Sequence, residues 1–259
     1  MLTLLSPAKA LDYKTRLRTK KVSQPRMTAS TEQLVSLMAS KQPDEIGALM
    51  DLSADLAMLN FERFQDWDPT YPDATSRPAL LAFAGDAYLA MDIARFGERD
   101  YTHAQKHLRI LSGLYGVLRP LDRIQPYRLE MGTKLAGDHG TNLYQFWGRD
   151  ITDSINRDLD GRRHPVVINL ASTEYFKSVR TEDLDAPVVT PVFKDFSRDE
   201  YRVVGYSAKR ARGMMAAWMI LNRISSRRML MQFAEGGYRY SPDHSTPSTP
   251  TYIRQPSVA

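Results

Sequence analysis

The residues most suited to chemistry in this chain lie in "HLRILSGLYGVLRPLDRIQPYRLEMG", positions 107–132. Gly113 and Gly116 interrupt an apolar run, and Arg109, Arg119, Arg123 and Arg128 stand around them. Glycines let a turn approach a phosphate without a Cβ in the way, and the first N–H groups of a helix are unpaired donors. An anion placed there gains from those donors and from the helix dipole. Read in this way, the stretch is a helix, a turn from Ser112 to Gly116 and a second helix: a helix-hairpin-helix element near 100–125 that holds DNA by its backbone. Arg119 and Arg128 would add charge-assisted bonds. The competing reading is an ordinary corner between two core helices. The turn is one residue longer between its glycines than the usual G-x-G, and Pro120 falls early in the second helix.

Other groups fall where strands are expected to end. "LLSPAK" puts Ser6 and Lys9 just beyond an apolar strand, the usual ligand crevice of an α/β sheet. "VVINLASTEYFKSV" repeats the arrangement with Asn169, Ser172, Glu174 and Tyr175. "YSAKRARGMM" gathers Lys209, Arg210 and Arg212 at an expected strand-to-helix junction, a second phosphate-contact candidate. Tyr115, Tyr127, Tyr144, Phe146 and Trp147 could stack on unpaired bases, although aromatics at such spacings more often fill a core. His103 and His107 are four apart, a spacing that can chelate a metal, but no Glu or Cys nearby completes a set. Iron sequestration is therefore the least supported function, and no metal site is assigned. Neither G-x-G-x-x-G nor a Walker A sequence occurs, so no cofactor is expected.

The charge distribution sharpens the phosphate reading. Residues 1–31 hold seven basic groups against one acid, 32–100 hold 13 acids against five basic groups, and 201–234 hold seven basic groups and no acid. Separated basic segments that fold together form a face attractive to polyanions. The 259 residues contain no cysteine, which removes disulfides, thiolate catalysis and Cys-based metal sites and suits a reducing cytoplasm. No apolar segment approaches the length needed to cross a bilayer.

The elements that must position these groups read as mixed α/β. Short strands are expected at 1–6, 165–172, 186–196 and 201–208, with the last two paired antiparallel across "SRDE". Helices are expected at 30–40, 43–64, about 78–95, 100–111, across "NLYQFWGRDITDSINRDL" and in the second half of "KRARGMMAAWMILNRI". The economical architecture is one domain over 1–240, a mixed sheet surrounded by helices, with a flexible tail over 241–259 whose Pro, Ser and Thr content suggests disorder.

Taken together, "LSPAK-LDY" at 5–13, "F-GD-Y" at 83–88, the central stretch, "LYQFWG" at 143–148, "VVINLAS-EYFKSV" at 166–179 and "K-ARG" at 209–213 closely resemble the YaaA family of bacterial peroxide-stress-resistance proteins. The resemblance implies a cytoplasmic single-domain protein with a fold of its own, a positively charged cleft and a helix-hairpin-helix element. It also implies a part in peroxide resistance, in limiting iron-dependent damage and in DNA binding. It supplies no catalytic residues. The expected partner is duplex or branched DNA, gripped without regard to sequence by Lys9, Arg109, Ser112, Gly113, Gly116, Arg119, Arg128, Lys209, Arg210 and Arg212. The alternative is an enzyme acting on nucleic acid or a nucleotide, glycosylase- or lyase-like, with Lys9, Asp86, Asn169 or Glu174 in a cleft.

Overall fold

The run Leu2-Thr3-Leu4-Leu5 is buried along its whole length, which a strand achieves only with neighbours on both edges and cover on both faces. The computed structural model describes residues 1–197 and 199–255 and supplies both. In chain order the elements begin with β1 (Leu2–Leu5), α1 (Thr28–Ala39), α2 (Pro43–Met50), α3 (Ala54–Gln65), β2 (Arg77–Pro78), α4 (Ala79–Ala82), α5 (Asp86–Met91) and α6 (Glu98–His107). Next come β3 (Leu108–Ser112), β4 (Gly116–Leu118), β5 (Arg123–Ile124), α7 (Leu143–Trp147), α8 (Asp150–Leu159), β6 (Val167–Asn169) and α9 (Thr173–Phe176). The last are β7 (Val188–Val189), β8 (Val192–Ser197), β9 (Glu200–Arg202), α10 (Gly205–Leu221), α11 (Arg227–Leu230), β10 (Arg239–Tyr240) and β11 (Thr251–Arg254).

The principal sheet has the order β4-β3-β1-β6-β7 and is mixed: β1, β3, β6 and β7 run parallel and β4 returns antiparallel. A second sheet, β10-β11-β8-β9, and the two-stranded β2-β5 complete one compact α/β domain. Helix α10 joins the two larger sheets by packing on α5, α6 and β8. Among the described residues no helix is long and apolar enough to cross a membrane.

The helix-hairpin-helix expected near 100–125 is replaced by a β-hairpin. Helix α6 ends at His107, and β3 and β4 pair across the turn with Ser112 opposite Gly116. Burial is the reason: residues 108–118 are all buried, because β3 is the strand that covers one edge of β1. Gly116 closes the turn at φ +66°, where a side chain would be strained and would also strike Met27 and Trp147.

Three expected helices are broken in two. Asp51, in the left-handed region, separates α2 from α3, the extended Phe83 and Gly85 separate α4 from α5, and Gly148 separates α7 from α8. The strand expected over 201–208 stops at Arg202, and α10 takes in the whole Lys209–Gly213 segment. The antiparallel pairing of β8 with β9 agrees with the sequence. The tail departs from it: β11 pairs with β8 and β10, and Tyr252 is fully buried. Residues 256–259 of the expected tail lie outside the described residues.

Candidate functional site

Strands β1 and β6 run parallel and end together, so the segments that follow them meet at one edge of the sheet. The Ser172 amide donates to Ser6 Oγ at 2.8 Å, and Ser6 Oγ lies 3.3 Å from Ser172 Oγ. Ser172 also caps α9 by accepting the Tyr175 amide. The buried Tyr88 hydroxyl donates to the Ser6 carbonyl at 2.8 Å, which fixes α5 over the same edge. These bonds leave a cleft of about 530 Å³ beyond the strand ends, the position at which open α/β sheets bind ligands.

Four cations line the cleft, Lys9, Arg128, Lys209 and Arg212, with three carboxylates, Asp86, Glu130 and Glu174. They come from the loop after β1, the segment after β5, α9, α5 and α10, so no single stretch of sequence contains the site. Glu130 holds Lys9 Nζ at 2.8 Å and Arg128 Nη2 at 3.2 Å. Glu174 accepts the Gly132 amide at 2.9 Å. Among the described residues, Lys209, Arg212 and Asp86 form no ion pair. Burial pushes the Arg212 guanidinium below its usual pKa with no carboxylate to offset the cost, the condition that favours an incoming anion. Tyr88, Tyr127 and Tyr175 also face the cleft, and burial raises each phenol well above its ordinary value, so all three remain protonated near neutral pH.

Close helix packing sets the shape of the wall. A Cβ on Gly213 would lie 2.6 Å from the Ala87 carbonyl carbon and 2.8 Å from its Cα. Only glycine lets α10 approach α5 so closely, and that approach brings Lys209 and Arg212 to the same cavity as Asp86.

Of the residues expected to contact DNA, the structure therefore unites Lys9, Arg128, Lys209 and Arg212 and separates the rest; Ser6, Asp86, Tyr127, Ser172, Glu174 and Tyr175, also named from the sequence, line the same cleft. Arg109 is buried and tied to Asp158 by Nε at 2.6 Å and Nη2 at 2.7 Å. Ser112 is buried against the Tyr127 hydroxyl at 2.6 Å. Gly113 is enclosed by the backbone of Leu129 and Glu130, and Gly116 by Trp147. Arg119 is held by Asp122 at 3.0 Å and by the Gln24 carbonyl at 2.9 Å. Arg210 lies over the Tyr206 ring and does not line the cleft. Asn169 accepts the Ala171 amide and organises the strand end, outside the lining. Glu130, Tyr88 and Leu89 are in the cleft without having been singled out; the acid-base alternation of "YRLE" was the available signal for Glu130. His103 and His107 stack at 4.2 Å, and among the described residues no group of three or more His, Cys, Asp or Glu side chains could hold a metal ion.

A family model described as "Peroxide stress protein YaaA" matches residues 1–244. A UPF0246 protein of Verminephrobacter eiseniae is 50% identical over 260 residues, covering 100% of both chains. UPF0246 proteins of Burkholderia multivorans and Aliivibrio fischeri are 46% and 45% identical, covering 98% of this chain and 99% and 98% of theirs. A match of this length and identity makes the chain a member of the peroxide stress protein YaaA family.

Proposed function

We propose that the protein contributes to peroxide resistance by binding nucleic acid in the cleft, with backbone phosphates against Lys9, Arg128, Lys209 and Arg212. The observation that supports this reading is the convergence of these four cations from separate segments at the ends of β1 and β6. Two of them share Glu130, and Asp86 and Glu174 line the same cleft, so Lys209 and Arg212, which form no ion pair among the described residues, offer contacts for about two phosphates. Such contacts follow the backbone and are indifferent to sequence. Asp86, with no ion pair among the described residues, favours a second reading in which the bound nucleotide is also processed, the carboxylate acting as a general base.

One experiment addresses both readings. Binding of single-stranded and duplex oligonucleotides, intact and peroxide-treated, is measured from 50 to 200 mM salt, and the products are run on a denaturing gel. About two neutralised phosphates predict a roughly seven- to twelvefold loss of affinity across that range. Lys209→Glu, at an exposed position on α10, weakens binding and flattens the slope. Affinity that ignores salt, or that survives the charge reversal, refutes the cleft as the phosphate site. Cleaved strands that disappear in Asp86→Asn establish the second reading.

A further inference from the structure

A second cavity, of about 250 Å³, lies on the other side of α5. Its wall includes Arg16, Arg18 and Arg77, and it shares Ala84, Tyr88 and Leu89 with the main cleft. Arg77 is the unusual member. It is only 7% exposed, its guanidinium lies over the Tyr13 ring, and one of its donors, Nε, is left without a partner among the described residues. Nη2 donates to the Thr15 carbonyl, and Nη1 stands 3.6 Å from Asp12 Oδ1, beyond hydrogen-bonding distance. Native proteins rarely leave a buried arginine with so much donor capacity unused.

Asp12 forms an ion pair with Arg77, but the hydrogen bonds it accepts come from the amides of Lys14 and Thr15, at 2.8 and 2.9 Å, and not from the guanidinium. Asp92 is exposed at the end of α5. Arg16 and Arg18, also exposed, complete a mouth of three arginines. The ridge between the two cavities carries Leu89, which is 65% exposed. An apolar crest between two cationic hollows suits a polymer whose charges alternate with flat apolar faces.

We propose that the Arg16–Arg18–Arg77 cavity is a second phosphate site, and that a nucleic-acid strand held in the main cleft crosses Leu89 to reach it. The shared strand rests on the reading given under Proposed function; the phosphate site itself does not. The ridge is one helix wide, roughly 10 Å. At about 3.4 Å per nucleotide of one strand, the crossing takes about three nucleotides.

The test uses thymidine 5′-monophosphate and oligothymidylates of increasing length on the full chain at low salt. Affinity rises by roughly tenfold or more once the oligomer exceeds about three nucleotides, the increment expected of a charge-assisted phosphate contact. The double variant R16E/R18E, at exposed positions, loses that step. If the double variant retains the step, the crossing is overturned. In parallel, the Arg77 Nε–H resonance is followed while inorganic phosphate is titrated. A shift that R16E/R18E abolishes upholds the second site even where no oligomer binds, an outcome that would refute the cleft reading alone. An Arg77 resonance indifferent to phosphate overturns the second site whatever the oligomers do.

Discussion

Replacing Gly213 with alanine sets helix propensity against helix packing, and the structure gives the sign. In an exposed helix interior the change is favourable by about 1 kcal/mol, because glycine gives up the most backbone freedom. Here the new methyl would stand 2.6 Å from the Ala87 carbonyl carbon and 2.8 Å from its Cα. Carbon atoms are comfortable at about 3.5–4.0 Å, so α5 and α10 must separate by roughly 1 Å. The obstacle is backbone, which has no rotamer into which to retreat. Overpacking of this kind costs typically about 1–3 kcal/mol, and a rigid contact belongs at the upper end. A net loss of about 2 kcal/mol remains, or a fall in Tm of roughly 4–8 °C for a chain of this size. The same displacement moves Lys209 and Arg212 away from Asp86, so on the reading proposed above nucleic-acid affinity falls together with stability. Thermal unfolding by circular dichroism measures the first effect and an anisotropy titration the second. Gly205→Ala, at the start of the same helix, is the control, since nothing lies within 4 Å of its added Cβ and the change is expected to be neutral or mildly stabilising. An unchanged or raised Tm for Gly213→Ala would refute the reasoning.

Other perturbations probe the remaining parts. Burial alone would raise the pKa of Asp158, but hydrogen bonds from Arg109 and Arg26 outweigh it and hold the carboxyl well below its usual value. Its stabilisation is therefore present above the unfolded pKa and is lost as pH falls below about 4; Asp158→Asn removes that acid-limb slope and costs about 3–5 kcal/mol by stranding the buried Arg109. Urea midpoints between pH 3 and 7 report both effects. Burial first and the neighbouring His107 second push His103 down to about 4. Since the unfolded chain takes up that proton near pH 6.5, stability declines as pH falls from about 6.5 towards 4, and His103→Gln reduces the slope. The imidazole resonance of the folded protein, followed over the same range, should titrate near 4. Truncation after Tyr240 removes an interior strand of the second sheet together with the buried Tyr252; the product should melt more than 10 °C lower or fail to fold, and an unchanged melt would contradict the placement of β11.

How far the fold was legible in the sequence depended on the length and punctuation of each apolar run. β1 and β6 could be read because their runs are short and stopped by Pro7 or by polar residues, and β8–β9 because "SRDE" punctuates the pair. β3 and β4 were not. "YTHAQKHLRIL" continues a helical spacing through Ala104, Leu108 and Leu111, and a brief apolar run does not by itself distinguish helix from buried strand. What decides the matter is the need of β1 for a neighbour, a contact about 100 residues away. β11 was hidden because "TYIR" is a few residues set in Pro, Ser and Thr. In the site, charge clustering picked out Lys9, Arg128, Lys209 and Arg212 but could not separate them from Arg109 and Arg119. Those two are neutralised by Asp158 and Asp122, and composition does not reveal which charges face each other inside a fold.

The central position of β1 has a consequence for how the molecule is made. Leu4 pairs with Arg109 on one side and with Asn169 on the other, so about 165 residues of chain separate the strand from its later partner. At the roughly 5–20 residues per second of translation, that interval lasts on the order of 10–30 s. For about the first 100 residues of that interval both edges of the apolar segment are open, and one edge stays open until β6 is made. Non-local parallel pairing is also among the slowest contacts to form once the whole chain is present. A refolding rate governed by sheet assembly rather than by the helices is the outcome expected from this strand order.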